Sequence, residues 1–410
     1  MANVRSNLYW STLLTMSTYV VPLLVFPYIS RVLGVERIGM VDTIDSLTDC
    51  CILFAMMGMA SVGVREIARH KDNRQELDQV FTDLFALNLC STMVVAIVFA
   101  TAVALSPTLQ DYGTLIPIGM LKLVANLFWI EWFYTGIEDF RYITLRSITV
   151  RALFIVGVFL LIHQQADSTL YYALFAGMTV ANAVYNWLHK RKLVHLNLRH
   201  ANIRRYAVPF LMLGLFAMLS AIYTKLSLPV LSFITDHEQA GNFTTATRVY
   251  QVVIALVTTL TGVMIPRMSV LIKEGEWQQV RRYTRTAFKL LLAFSLPIII
   301  VVELFATDII TLFAGPGFEG AALPMRINML LLLIVGAEKI IILQLLVPLR
   351  KDRTIVMAGI AGVIVWAVAT PLLVPTLQAA GSAIVWILAE FTVLLCATPT
   401  ALKTIRKNVE

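Results

Sequence analysis

Charge is scarce in this chain. Asp, Glu, Lys and Arg make up 14% of its 410 residues, against about 25% in ordinary soluble domains. Apolar residues fill the gap at 58%, with a mean hydropathy of +0.78, where soluble domains hold about 45–50% apolar residues. That balance excludes a soluble enzyme and a disordered chain. Long polar loops are missing too. The stretches 106–113, 163–168 and 236–242 between apolar runs are short, so a polymerase or ligase acting on exported sugars has no sizeable outer loop to hold its chemistry. Cysteine is rare, and Cys50, Cys51, Cys90 and Cys396 show no ligand-like spacing. All four are expected to be buried packing residues. No HExxH, GxSxG or Walker loop occurs, which leaves ATP-driven transport by this chain alone without support.

Long apolar runs are what the sequence does have. A spanning helix needs about 20 mostly apolar residues. Twelve runs qualify, at 8–30, 40–62, 80–104, 114–135, 145–162, 169–188, 207–233, 245–265, 288–312, 322–347, 355–375 and 380–402. The expected class is an all-α integral membrane protein of about twelve transmembrane helices. The first run lacks a small-residue cleavage site and exceeds a signal-peptide core, so it is expected to be a retained span. Trp10, Trp129, Trp132 and Trp187 lie near span ends, where aromatic rings favour the membrane interface.

The net charge of +8 is then a statement about orientation. With both termini in the cytoplasm, 26 of the 33 Lys and Arg residues fall on the inner side, among them Arg65, Arg69, Lys71, Arg141, Arg146, Arg151, Lys190, Arg267 and Arg281. Arg31, Arg37 and Arg326 fall outside. This asymmetry is the positive-inside rule, adds some attraction to anionic headgroups, and gives no argument for nucleic acid.

An internal repeat appears at an offset of 202 residues. Pro27 meets Pro229, Ser30 meets Ser232, Glu36 meets Glu238, Gly39 meets Gly241 and Thr43 meets Thr245, and in the same register Arg65 meets Arg267 and Lys71 meets Lys273. The repeat starts after an even number of spans, so both halves enter the membrane in the same direction. Two parallel six-helix lobes follow, 1–200 with its basic linker and 201–410, as in transporters built of two rocking bundles. Substrate is expected between the lobes near the midplane.

The same residues carry a family resemblance. Ser30-Arg31-Val32-Leu33-Gly34 with Glu36 and Gly39, the segment Gly63-Val64-Arg65-Glu66-Ile67-Ala68, and the stretch from Trp129 through Gly136 and Glu138 to Arg146 resemble segments of the Wzx-type oligosaccharide flippases. Ile222-Tyr223-Thr224, Gly241-Asn242-Phe243, Pro266-Arg267-Met268-Ser269, Leu312-Phe313-Ala314-Gly315 and Gln344–Pro348 follow in that family's order. Ser227 and Ser232 depart from the Asp and Gly common there. The resemblance implies the multidrug/oligosaccharidyl-lipid/polysaccharide (MOP, MATE-like) exporter superfamily and a two-lobe, outward-opening V. It also implies transport of undecaprenyl-diphosphate-linked glycans across the bacterial cytoplasmic (inner) membrane. Membrane lipids, a polysaccharide polymerase and chain-length machinery are the partners it implies.

Charges left inside spans are functional candidates by default, because each costs several kcal/mol there. The cations are Lys122, Lys225, Arg248 and Lys339. Lining a cavity, they would offset the charge of a lipid diphosphate in a low-dielectric slab. Against that, Lys122 and Arg248 could snorkel to the outer interface, and Lys339 could neutralise Glu338. The anions are Asp42, Asp45, Asp49, Glu131, Glu303, Glu338 and Glu390. At about 100° per residue the three Asp share one helix face. Asp45, Asp49, Glu338 and Glu303 are candidates either for H⁺ or Na⁺ coupling or for charge pairing. No bound cofactor is expected.

Two other readings compete. A cation-coupled multidrug exporter of the same superfamily would want an acidic cavity. An intramembrane Mg²⁺-dependent prenyltransferase would use Asp42-x-x-Asp45-x-x-x-Asp49 as a metal-binding motif, but no second intramembrane motif of this kind occurs.

Overall fold

A computed structural model describes residues 4–262 and 264–409, and every regular element among them is helical. Backbone N–H and C=O groups within a bilayer must be satisfied inside the segment, which helices do. The described chain forms two compact units, Met1–Ala221 and Ile222–Glu410.

The N-terminal unit contains α1 (Val4–Met56), α2 (Met59–His70), α3 (Arg74–Leu105), α4 (Leu115–Phe128), α5 (Glu131–Gly136), α6 (Phe140–Leu161) and α7 (Ser168–Lys190). α1 is broken at Gly34, whose φ of 77° and ψ of 169° suit a residue without Cβ. α8 (Arg204–Ile234) contains the division between the units. The C-terminal unit continues with α9 (His237–Gly262), α10 (Ile265–Glu274), α11 (Trp277–Ala314), α12 (Ala322–Met329), α13 (Leu331–Ile341), a π-helical turn (Ile342–Leu346) and α14 (Asp352–Val409). α14 is broken at Gln378, with φ 52° and ψ −128°.

Helix covers all or most of each stretch expected from the sequence. Among the described residues seven helical runs are long and apolar enough to cross a membrane, and three of these, Tyr9–Met56, Trp277–Ala314 and Asp352–Asn408, contain a break within one helix, at Gly34, Phe305 and Gln378. Helix boundaries recur at the 202-residue offset. The break at Gly34 corresponds to the gap between α8 and α9, and the turn between α2 and α3 corresponds to that between α10 and α11.

Each unit has its own apolar core. In the N-terminal unit Phe81, Phe85, Trp132, Phe133 and Tyr134 pack with Met59 and Ile67. In the C-terminal unit Met268, Leu271, Leu345, Leu346, Val393 and Ala397 do so. Trp132 is therefore a core residue rather than an interfacial one, stacked 5.6 Å from Phe81. Outward faces are apolar as well: Val94, Ile97 and Val98 of α3 are 61–66% exposed. This overturns one expectation. Cys50 is buried, but Cys51 is half-buried and Cys90 and Cys396 are exposed, because apolar surroundings imply burial only where the solvent is water.

Candidate functional site

Three charges meet inside the N-terminal unit. Asp45 and Asp49 lie one turn apart on α1, and α4 brings Lys122 against both. Its Nζ donates to Asp45 Oδ1 at 2.6 Å and to Asp49 Oδ1 at 2.7 Å. The lysine is buried, 6% exposed. Its ammonium also lies 5.2 Å from the Phe175 ring of α7, and Tyr172 Oη of the same helix is 3.4 Å from Thr48 Oγ1. Close approach of α1 and α4 depends on Gly119, where a Cβ would stand 2.5 Å from Thr48 Oγ1 and 3.2 Å from Tyr172 Oη. Asp42 lies one turn earlier on α1 and is half-buried. Asp45 and Asp49 thus present one helix face to Lys122, and its visible use is charge pairing. Two of the three carboxylates of the DxxDxxxD spacing are held by an ammonium. Among the described residues no three His, Cys, Asp or Glu side chains are grouped as a metal site.

The other candidates belong to the C-terminal unit. Lys225 on α8, Arg248 on α9 and Lys339 on α13 are all half-buried, and Lys225 and Arg248 each make polar or electrostatic contacts. Glu303 is exposed on α11, with its Oε1 3.9 Å from Arg326 Nε. Glu338 of α13 is half-buried, and its Oε2 is buried without a hydrogen-bond partner. Glu390 of α14 is buried and accepts from Tyr223 Oη at 3.0 Å and Trp386 Nε1 at 3.1 Å. Tyr250 closes the group, its ring edge-on to Trp386 at 5.3 Å.

A third polar cluster surrounds Arg146. Counted with the cytoplasmic flank in the sequence, Arg146 instead lies buried in α6, where its Nη2 donates to Glu131 Oε2 at 2.8 Å and to Ser147 Oγ at 2.9 Å. Its Nη1 donates to Asn186 Oδ1. Asn186 passes the link to the Trp129 carbonyl at 2.5 Å, and Trp129 Nε1 returns to Glu131 Oε2 at 2.8 Å. Arg151 is likewise drawn inward, donating to Leu14 O, Ser17 Oγ and Thr18 Oγ1 of α1.

The model of the family described as "Polysaccharide biosynthesis protein" matches residues 4–272. The chain belongs to this family. Similar proteins include the "Putative O-antigen transporter" of Escherichia coli (strain K12), 24% identical over 336 residues that cover 79% of each chain. One of the same name from Shigella dysenteriae is 21% identical and covers 65% of this chain and 67% of that one. Among solved structures, the lipid II flippase MurJ in an inward closed conformation gives a TM-score of 0.76 at 14% identity, covering 98% of this chain and 90% of the other. An inward-facing multidrug resistance MATE family transporter of the MOP superfamily gives 0.74 at 15% identity, covering 96% and 95%. This polysaccharide biosynthesis family member therefore has the MATE-like fold of that superfamily and is a multi-pass membrane protein.

Within this family member, the recognisable segments turn out to be packing and polar-network sites. Gly136 ends α5 where a Cβ would meet Ile67 Cβ and Cγ2 at 2.7 Å and Val64 O at 3.1 Å, so the Gly63–Ala68 and Trp129–Arg146 segments are two sides of one contact. Glu390 and Asn186 were missed as functional partners. Glu390 is visible in the sequence as an intramembrane charge, but its donor Tyr223 lies 167 residues away. Nothing in the sequence around Asn186 distinguishes it.

Proposed function

We propose that this protein is a flippase that moves undecaprenyl-diphosphate-linked oligosaccharide units across the bacterial cytoplasmic membrane by alternating access, in the assembly of surface polysaccharide. The observation that carries this reading is the family match over residues 4–272, and a fold shared with a lipid flippase supports it. In this reading the chain crosses the membrane twelve times with both termini in the cytoplasm, as two parallel six-helix lobes over 1–200 and 201–410. Lys225, Arg248 and Lys339 offset the substrate's diphosphate charge. Lys122, with both acids of its cluster at hydrogen-bonding distance, contributes through them. A polymerase and chain-length machinery take over the product, and neither nucleic acid nor a bound cofactor takes part.

The test is complementation. A strain lacking its own O-antigen flippase accumulates lipid-linked glycan on the cytoplasmic leaflet. Expression of this chain is expected to restore surface glycan, and the Lys225→Ala/Lys339→Ala variant is expected to fail while remaining in the membrane. No restoration by the unmodified chain in any of several glycan backgrounds sinks the reading. Likeness to a multidrug transporter supports a second reading, a cation-coupled drug exporter. Restored resistance to organic cations in a drug-sensitive strain, without glycan export, would favour it.

A further inference from the structure

The run from Lys190 to Arg205 carries six Lys and Arg residues and no Asp or Glu. A linker of this charge should be loose, because ordering it costs entropy and its cations repel one another. It is tied down instead, by side chains of α3. Asp78 Oδ1 accepts from His195 N at 2.9 Å, Thr82 Oγ1 from Asn197 N at 3.3 Å, and Asp83 Oδ1 from Asn202 N at 2.7 Å. Gln79 Nε2 donates to His200 O at 2.9 Å and to Asp83 Oδ1 at 2.8 Å. Asp83 is 1% exposed, so a buried carboxylate serves this strap.

The backbone is held and the charges are left outside. Arg191, Lys192, Arg199, Arg204 and Arg205 are all exposed, whereas Lys190 is buried, its ammonium 4.3 Å from the Trp187 ring. The flanking helices identify what these cations face. Arg191 caps α7 at helical spacing from Val184 and Leu188, which are 51% and 53% exposed. Arg204 opens α8 in the same row as Val208, Leu211 and Leu215, which are 52–62% exposed. Apolar rows of this kind on a membrane span meet acyl chains, and a cation at the end of such a row stands at headgroup level. Within the strap, Leu198 is exposed among the cations, as in basic segments that lie on a lipid surface.

We propose that the strap from Arg191 to Arg205 is a site for anionic phospholipids. Its exposed cations hold lipid phosphates, and the acyl chains lie along the outward rows of α7 and α8. Arginine suits this role because its planar fork matches phosphate oxygens in pairs. An acidic protein segment would make no use of the apolar rows beneath Arg191 and Arg204. The site goes beyond the orientation effect of basic loops, which needs charge at this end of the span but no fixed arrangement of it. The proposal rests on α7 and α8 crossing the membrane, as in the twelve-span reading above, and is independent of the cargo.

Native mass spectrometry of the full chain in detergent, with added phosphatidylglycerol or phosphatidylcholine of matched acyl chains, tests the site. The unmodified protein is expected to retain phosphatidylglycerol in preference. Arg199→Gln/Arg204→Gln/Arg205→Gln is expected to weaken that retention about fivefold for each cation removed. The corresponding triple Lys variant keeps the charge and is expected to keep most of it. Arg281→Gln/Arg282→Gln/Arg285→Gln removes as much charge from exposed positions of α11 and is expected to leave retention nearly unchanged. Elution as a monodisperse species checks the folding of each variant. Equal retention of the two lipids by the unmodified protein overturns the proposal. So does an equal loss in both triple Gln variants, which would mean diffuse charge rather than a site. Displacement of the lipid by an equal concentration of glycerol phosphate would show that the acyl rows take no part, and displacement by polyglutamate would point to an acidic protein partner; either result overturns it. Failed complementation would strike the flippase reading and leave these outcomes untouched.

Discussion

Lys122 and Asp45 lie 77 residues apart in the chain and 2.6 Å apart in space, and Asp49 shares the same ammonium at 2.7 Å. Removing one partner of a buried ion pair leaves an uncompensated charge and typically costs about 3–5 kcal/mol, whereas replacing every member with neutral groups can be nearly free. Lys122→Met is therefore expected to lower the melting temperature sharply, read by size-exclusion after heating in detergent. The triple variant with Asp45→Asn and Asp49→Asn is expected to recover most of the loss. A triple variant no better than Lys122→Met would show that the charges themselves are needed rather than their mutual compensation.

Gly119 and Gly136 are places where two helices touch with no room for a methyl group. At Gly119 the obstacle is a side chain, Thr48 Oγ1 at 2.5 Å; at Gly136 it includes backbone, Val64 O at 3.1 Å. Overpacking of this kind costs about 1–3 kcal/mol. Gly119→Ala is expected to destabilise, and Thr48→Ala added to it should relieve part of the strain. Gly136→Ala is expected to stay destabilised when Ile67 is shortened to Val, because valine keeps the Cβ and Cγ2 that a methyl group would meet at 2.7 Å and the Val64 carbonyl remains. Thermal melts of the four variants read both contrasts.

The legible and illegible parts of this molecule separate along a physical line. Helix positions follow from hydropathy, because apolar length decides what spans a bilayer, and the equivalence of the breaks at Gly34 and Asp236 follows from the repeat. The helix face shared by Asp45 and Asp49 follows from a 100° step. Which cation those acids meet does not, since Lys122 arrives from α4 by tertiary packing. Arg146 illustrates the same limit from the other side. Placed by its neighbours with the basic cytoplasmic flank, it is buried because Glu131 and Asn186 converge on it. Cys90 and Cys396 were misplaced for a third reason: hydropathy alone does not tell a core face from a lipid face.

Asp167 ties the loop before α7. Its Oδ2 accepts the backbone N–H of His163 at 2.9 Å and of Gln164 at 3.1 Å, and these bonds hold the carboxyl below the usual carboxylate range. A group with a depressed pKa in the folded loop stabilises it above the unfolded value of about 3.9, and the contribution fades as pH falls through the lowered one. Amide exchange at His163 and Gln164 is therefore expected to speed up, relative to the intrinsic rate, as the pH drops below about 4. Asp167→Asn should flatten that dependence. Protection that is unchanged across this range in the unmodified protein would mean that the loop is held by something else.

Arg146 supplies the last test, because its role depends on shape as well as charge. One guanidinium reaches Glu131, Ser147 and Asn186 together, and Asn186 is further fixed by the Trp129 carbonyl at 2.5 Å, while its own carbonyl accepts from Tyr134 Oη at 2.7 Å. A lysine keeps the charge but lacks the planar fork that makes these bonds at once. Arg146→Lys is expected to cost about 1–3 kcal/mol for the lost bonds, and Arg146→Ala more, since it also empties a buried position and leaves Glu131 without its cation. Adding Glu131→Gln to Arg146→Ala should return part of that difference. The comparison of melting temperatures across the three variants separates charge from geometry: if Arg146→Lys melts with the unmodified protein, the network holds by charge alone, and the fork is incidental to the packing of α5, α6 and α7.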